Sequence, residues 1–357
     1  MIKACSFGEI IIRLIPPDKN VFNSLPNNIN YSYYGTEVSF LVNISNLGGR
    51  ACFISAIPDN FVGHAILRQL DNYRINRKFV KLTGKGRVGL DYIEEGIATR
   101  ASSVIHDRRN SSINLLKFED YQFNLAFSKS NHYYISGSTL AMSKDIMNSV
   151  IHSARLAKEM GLEVSCDLNY NSYFWKYDLS GGKVDPEKVI NDVAVYCDYL
   201  FFNEYDIRQY FNIDIRRKEN GQDIIVYYQN LLLKISKKFP HIKIVAMLAR
   251  SEKNDNLYLG GVLYIRETNQ FYFSPNIYNK FEQILVNPLR DIIEEREAFS
   301  SALLYGMSRY KKIQYALDFA VASSVLKYTY TGDLNYATLN EINSLMRGSK
   351  FSQERQF

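Results

Sequence analysis

The chain predicts a doubly wound α/β fold, a mostly parallel sheet flanked by helices. Three observations carry this. Short β-rich runs alternate with longer helix-patterned stretches along nearly all of the 357 residues. Several runs, such as EVSCDL at 163–168 and KIVAML at 243–248, are almost wholly apolar, as expected for a parallel strand covered on both faces. The balance of 46% hydrophobic and 22% charged residues is that of an ordinary globular core, and the length is ample for one.

Taken in order, the strands fall at 4–14, 51–57, 133–136, 163–167, 199–203, 242–248, 261–264 and 270–273. The helices fall at 37–47, 61–73, 144–160, 186–196, 223–238, 294–310, 313–327 and 339–347. The helix at 294–310 opens on glutamates, which favour the positive end of its dipole. Its Phe299, Ala302, Leu303 and Gly306 recur at the spacing of one core-facing stripe. Segments 11–34 and 86–106 break the alternation. RVGLDYIEEG and ASSVIHDRR read as half-exposed strands with no helix between them, which predicts a small antiparallel flap beside the main sheet. The expected organisation is one domain over 1–350, with flap segments at about 11–34 and 86–106, and a short tail at 351–357.

Composition excludes several classes. The net charge of +6 is small for this length, and the basic residues are scattered, so no stripe for nucleic acid is present. The four cysteines form no close pair in sequence and each sits in an apolar run, which points to buried thiols and a reducing compartment. The five histidines lack zinc-ligand spacing. The N-terminus MIKACSFGEIIIRLI is too polar for a signal peptide or membrane span, so a cytoplasmic protein without a membrane partner is expected.

In doubly wound sheets ligands sit beyond the carboxyl ends of the strands. Three polar turns follow buried strands: DLNYN at 167–171, NEYD at 203–206 and DIIEERE at 291–297. Each alone reads as a helix cap or turn, since Asn and Asp serve there locally. The three together point to a shared cleft.

Eight blocks, in order, resemble the ribokinase-like sugar kinases of the phosphofructokinase-B (PfkB) type. They are FGEIIIRLIPPD (7–18), YGTEVSFLVNISNLGG (34–49), RVGLDYIEEG (87–96), VIHDRRNSS (104–112), CDLNYNSYFW (166–175), NEYD (203–206), EAFSSALLYGM (297–307) and FAVASSVLKYTYTGDLN (319–335). The branch most resembled is 2-keto-3-deoxygluconate kinase. The resemblance implies a ribokinase-like fold with a β-flap lid, a homodimer through the lid, and ATP- and Mg²⁺-dependent phosphoryl transfer to a sugar or sugar acid. It also assigns positions. Gly35 and Ser39 fall on the sugar-approach turn. Asp91, His106, Arg108, Asn169 and Asn171 fall on the sugar-acid clamp. Asn203, Glu204 and Asp206 fall on the Mg²⁺-organising motif, with Asp206 acting on the metal indirectly. Arg296 falls in the phosphate cradle and Glu297 on the general base.

The departures from the family pattern concentrate on these positions. Tyr34 replaces the first glycine of a Gly-Gly turn, Ser39 replaces an Asn, Asp91 and His106 replace lid tyrosines, and Asn171 replaces a carboxylate-holding Arg. A Gly-rich phosphate cradle becomes Glu294-Glu295-Arg296, and the base Asp becomes Glu297. Glycines there would offer bare N–H groups to developing charge, a term that usually dominates catalysis. Each carboxylate–phosphate pair at about 4 Å instead costs roughly 1–4 kcal/mol. The expectation is therefore a catalytically impaired or inactive kinase homologue. The alternatives are an active kinase with an altered substrate and a purely structural protein.

Overall fold

The computed structural model describes residues 1–24, 28–97, 99–176, 184–213, 224–253, 256–277, 280–286 and 295–348. The expected tail at 351–357, Glu294 and most of the DIIEERE turn lie outside the described residues. The strands are β1 (Lys3–Phe7), β2 (Ile11–Ile15), β3 (Asn30–Tyr34), β4 (Arg50–Pro58), β5 (Ile75–Thr83), β6 (Gly89–Glu94), β7 (Ser103–Asp107), β8 (His132–Ser136), β9 (Glu163–Asp167), β10 (Tyr199–Phe201), β11 (Ile244–Lys253), β12 (Asn256–Ile265) and β13 (Gln270–Ser274). The helices are α1 (Thr36–Asn46), α2 (Phe61–Asn72), α3 (Phe123–Phe127), α4 (Gly137–Leu140), α5 (Lys144–Glu159), α6 (Ser172–Lys176), α7 (Pro186–Ala194), α8 (Glu204–Phe211), α9 (Ile224–Lys238), α10 (Glu295–Arg309), α11 (Ile313–Lys327) and α12 (Leu339–Arg347).

The main sheet runs β13-β12-β11-β10-β9-β8-β1-β4-β5. Strands from β11 through β5 are parallel, and β12 and β13 close that edge antiparallel. This is the ribokinase-like α/β architecture that the sequence predicts. Residues of α1, α2, α10, α11 and α12 build the core on one face, and residues of α3, α5, α7 and α9 build it on the other.

Several expectations need correction. The apolar run 4–14 is two strands. β1 stays in the main sheet, while β2 leaves it after Gly8 and Glu9 to join a second sheet of order β3-β2-β6-β7. That second sheet is mixed rather than antiparallel, because β2 and β6 pair in parallel. Strand β5 escapes prediction because INRKFVKLT alternates charged with apolar residues at a sheet edge, a weak signal beside the buried runs. The short helices α3, α4, α6 and α8 also escape, being too brief to show a period.

Helix α10 is not amphipathic. Every residue from Glu297 to Gly306 is buried, because α10 lies between α1 and α11 against the sheet. Gly306 permits this, since a Cβ there would stand 3.1 Å from the Cα of Ala316 in α11. All four cysteines are free and buried, but the fold pairs what the sequence separates: Cys5 and Cys52 are register partners on β1 and β4.

Candidate functional site

The carboxyl ends of β9 and β10 and the head of α10 meet at one guanidinium. Arg296 grips Asp206 with two hydrogen bonds, Nη2 to Oδ2 at 2.7 Å and Nη1 to Oδ1 at 3.2 Å. Its Nη2 also donates to Oδ1 of Asp167, the last residue of β9. Asp206 has no exposed surface, and the backbone holds it from two further directions. Oδ1 accepts from Tyr170 N–H and Oδ2 from Asn203 N–H, both at 2.9 Å. Asn203 in turn caps α8 by accepting from the Asp206 N–H, so the NEYD turn is a reciprocal capping box. Burial alone would lower the Arg296 pKa, but Asp167 and Asp206 outweigh it and hold the guanidinium charged, well above its ordinary value. The DLNYN and NEYD turns thus converge on the described end of the third, at Arg296.

Asp167, Asn203, Glu295 and Arg296 line a cavity of about 80 Å³ there, together with Met247, Leu248 and Phe299. Arg250 from β11 stands 3.7 Å from the Glu295 carboxylate. Glu204 sits half-buried in the first turn of α8. Glu297, expected at the base position, has no exposed surface and does not line the cavity. Its carbonyl accepts from the Asn43 side chain of α1 at 3.4 Å.

A second cluster joins the small sheet to the main one. Arg108 forks onto Asp91 of β6, Nε to Oδ1 at 3.0 Å and Nη2 to Oδ2 at 2.5 Å. His106 Nδ1 lies 2.8 Å from the same Oδ1. Asp91 is wholly buried. Burial alone would raise its pKa, but the charge of Arg108 and the His106 and Arg108 hydrogen bonds outweigh that and hold it below the usual carboxylate range. The His106 ring packs 4.8 Å from Tyr173 and 4.9 Å from Phe174, and the Tyr173 hydroxyl donates to the His106 carbonyl at 3.1 Å. Nearby, Arg13 of β2 donates to Asp333 at 2.9 Å, and its guanidinium lies 3.3 Å over the Tyr34 ring.

The remaining predicted residues serve local structure. Gly35 is needed because a Cβ would stand 2.2 Å from the Glu9 carbonyl oxygen, so its close approach is to the protein's own backbone. Ser39 is buried within α1. Asn169 takes a positive φ of 32° and donates from Nδ2 to Ser136 Oγ at 3.3 Å. Asn171 opens α6 by accepting from the Tyr173 N–H at 2.9 Å.

Sequence reasoning missed two buried carboxyls between the clusters. Glu37 Oε1 accepts from Thr139 Oγ1 at 2.6 Å, and Glu9 Oε2 lies 3.8 Å from Arg108 Nη1. Burial pushes both up to about 7, against the Thr139 hydrogen bond at Glu37 and the Arg108 charge at Glu9. The signal was present: Glu9 follows Gly8 at a strand end, and Glu37 opens α1 two residues after Gly35.

ATP with Mg²⁺, the pair implied by the resemblance, fits the described residues poorly. Both oxygens of Asp206 already take two donors each, and Asp167 is paired to the same guanidinium. Glu295 adds a carboxylate to the lining of the cavity at the head of α10, which disfavours a phosphate there. No cluster of three or more His, Cys, Asp or Glu able to hold a metal occurs among the described residues. None of the described helices is long and apolar enough to cross a membrane.

Residues 1–240 match the sequence profile of the pfkB family of carbohydrate kinases. The chain belongs to that family. It is 25% identical over 350 residues to the 2-dehydro-3-deoxygalactonokinase of Haloferax volcanii, covering 98% of each chain. Among solved structures it is similar to a 2-dehydro-3-deoxygluconokinase from Thermotoga maritima, with TM-score 0.85 and 26% identity over 98% of this chain and all of that one. An ATP-bound fructokinase from Xylella fastidiosa shares the fold, with TM-score 0.70 and 16% identity over 97% of this chain and 99% of that one.

Proposed function

We propose that this carbohydrate-kinase homologue has lost most or all phosphoryl transfer to 2-keto-3-deoxy sugar acids. The observation that carries this reading is the double pairing of Arg296 with Asp167 and Asp206. A cation fixed between those acids competes with metal for them and brings no net positive charge to an incoming phosphate. The Asp91–Arg108 fork supports the same reading at the sugar end, because a guanidinium already held by two hydrogen bonds is spent as a carboxylate clamp.

The test is ATP-dependent phosphorylation of 2-keto-3-deoxygluconate and 2-keto-3-deoxygalactonate. Wild type is compared with a variant carrying Glu294→Gly, Glu295→Gly, Arg296→Gly and Glu297→Asp. The expected wild-type rate lies at least about 10³-fold below the roughly 1–100 s⁻¹ usual for kinases, with partial recovery in the variant. An ordinary rate in the wild type overturns the reading.

A second reading rests on Arg108 alone. With its charge matched by Asp91, the sugar side suits a neutral sugar, and turnover of fructose or another neutral hexose in the same assay would favour an active kinase of altered substrate. The homodimer implied by the family finds support in Tyr31 on β3 and Ile105 on β7, each 65% exposed. Sedimentation equilibrium should return a dimer that Tyr31→Asp/Ile105→Asp disrupts. A monomeric wild type would exclude the dimer.

A further inference from the structure

The opposite end of the main sheet carries a site that the kinase reading does not use. A half-open cavity of about 450 Å³ sits at the amino ends of β1, β4 and β5, within the size range of small-molecule pockets. Lys3, Arg50, Arg74 and Lys129 line it, and among the described residues no carboxylate does. Lys3 and Arg50 are register partners at the first positions of β1 and β4. The five residues of β1 alone separate this edge from the carboxyl edge by about 16 Å.

The lack of counter-charge is local. On β5, Arg77 pairs with Asp71 at 2.7 Å and Lys81 with Asp120 at 3.0 Å. None of the four cavity cations forms an ion pair with a described residue. Arg74 holds a left-handed backbone (φ 57°) just past Tyr73, the C-cap of α2, a position that helices usually give to glycine or asparagine. Four like charges gathered without a carboxylate repel one another, and a bound multivalent anion relieves that repulsion. The described lining contains no aromatic ring, so it offers no stacking platform for a nucleobase.

We propose that this cavity binds a small phosphorylated anion without a base: a sugar phosphate or an inorganic polyphosphate. Recognition uses the two guanidinium forks of Arg50 and Arg74 with the ammonium groups of Lys3 and Lys129. Binding here is independent of the cleft at α10, so it survives whichever outcome the kinase assay gives.

The test titrates pyrophosphate and glucose 6-phosphate calorimetrically into the full chain at low ionic strength, the tighter of the two naming the source. Arg50→Glu/Arg74→Glu is compared with Lys234→Glu/Lys237→Glu, an equal charge change on the exposed side of α9. One-site binding is expected, weakened about tenfold or more by the cavity pair, as the loss of charge-assisted hydrogen bonds implies, and little changed by the control. Equal weakening by both pairs, or no one-site binding of either anion to wild type, overturns the proposal. Hydrogen exchange on the wild type keeps the test independent of variant folding. Protection on adding pyrophosphate is expected at 45–52, 73–77 and 129–130, and protection confined to the α10 cleft overturns the proposal.

Discussion

The two ends of the candidate cleft reach the same electrostatic state by opposite routes. At the head of α10 an arginine meets two acids, Asp167 and Asp206, that lie in blocks shared with the family. At the small sheet an acid, Asp91 of β6, meets Arg108. In both places a guanidinium that could face a ligand is held by side chains of the chain itself. The lesson is that buried charges at both ends are matched from within the chain, because a buried charge needs a counter-charge whether or not a ligand supplies it.

The comparison breaks first at Arg296. Removing it leaves Asp167 and Asp206 buried without their cation, so Arg296→Ala should lose roughly 3–5 kcal/mol by urea denaturation. A loss well under 1 kcal/mol would mean that the acids do not depend on it, and the two ends would no longer be alike.

Next in size is the pH response of the two carboxyls between the clusters. Glu9 and Glu37 are raised from 4.5 to about 7, so their contribution to stability is fully present below pH 4.5 and is lost as pH rises through about 7. Each is fully buried, and the shift corresponds to at most about 3 kcal/mol. Glu37→Gln should therefore be more stable than wild type at pH 8 and nearly equal to it at pH 4.5. A difference that does not vary with pH between those values would remove Glu37 as a neutral acid.

The smallest effect sharpens the contrast between the ends. Arg108 keeps some contact with solvent, so Asp91→Asn should cost less than the loss of Arg296, roughly 2–3 kcal/mol. The freed guanidinium should then accept a carboxylate ligand. 2-Keto-3-deoxygluconate is expected to raise the melting temperature of Asp91→Asn more than that of wild type. Equal shifts would show that Asp91 does not occupy the clamp.

Much of the fold was legible because burial writes itself into composition. Apolar runs such as EVSCDL and KIVAML marked parallel strands, and α11 and α12 match their predicted limits. The elements missed were those in which burial is one-sided or the run is short, as in β5 and α8. The turns that form the site were also readable, since polar residues after a buried strand have few other places to go. Their local contacts were less readable, because the caps made by Asn171 and Asn203 and the close packing at Gly35 look the same in sequence as ligand contacts.

By itself the sequence determined the mostly parallel sheet flanked by helices and the run of charges at 294–297. Only the tertiary structure decided what those charges do. Arg296 lies 129 residues from Asp167 and 90 from Asp206, and Arg108 lies 17 from Asp91. No local periodicity encodes such pairings. The Arg296 pairings follow from the parallel sheet, which brings the ends of distant strands to one edge, and the Asp91–Arg108 pairing follows from the antiparallel register of β6 and β7.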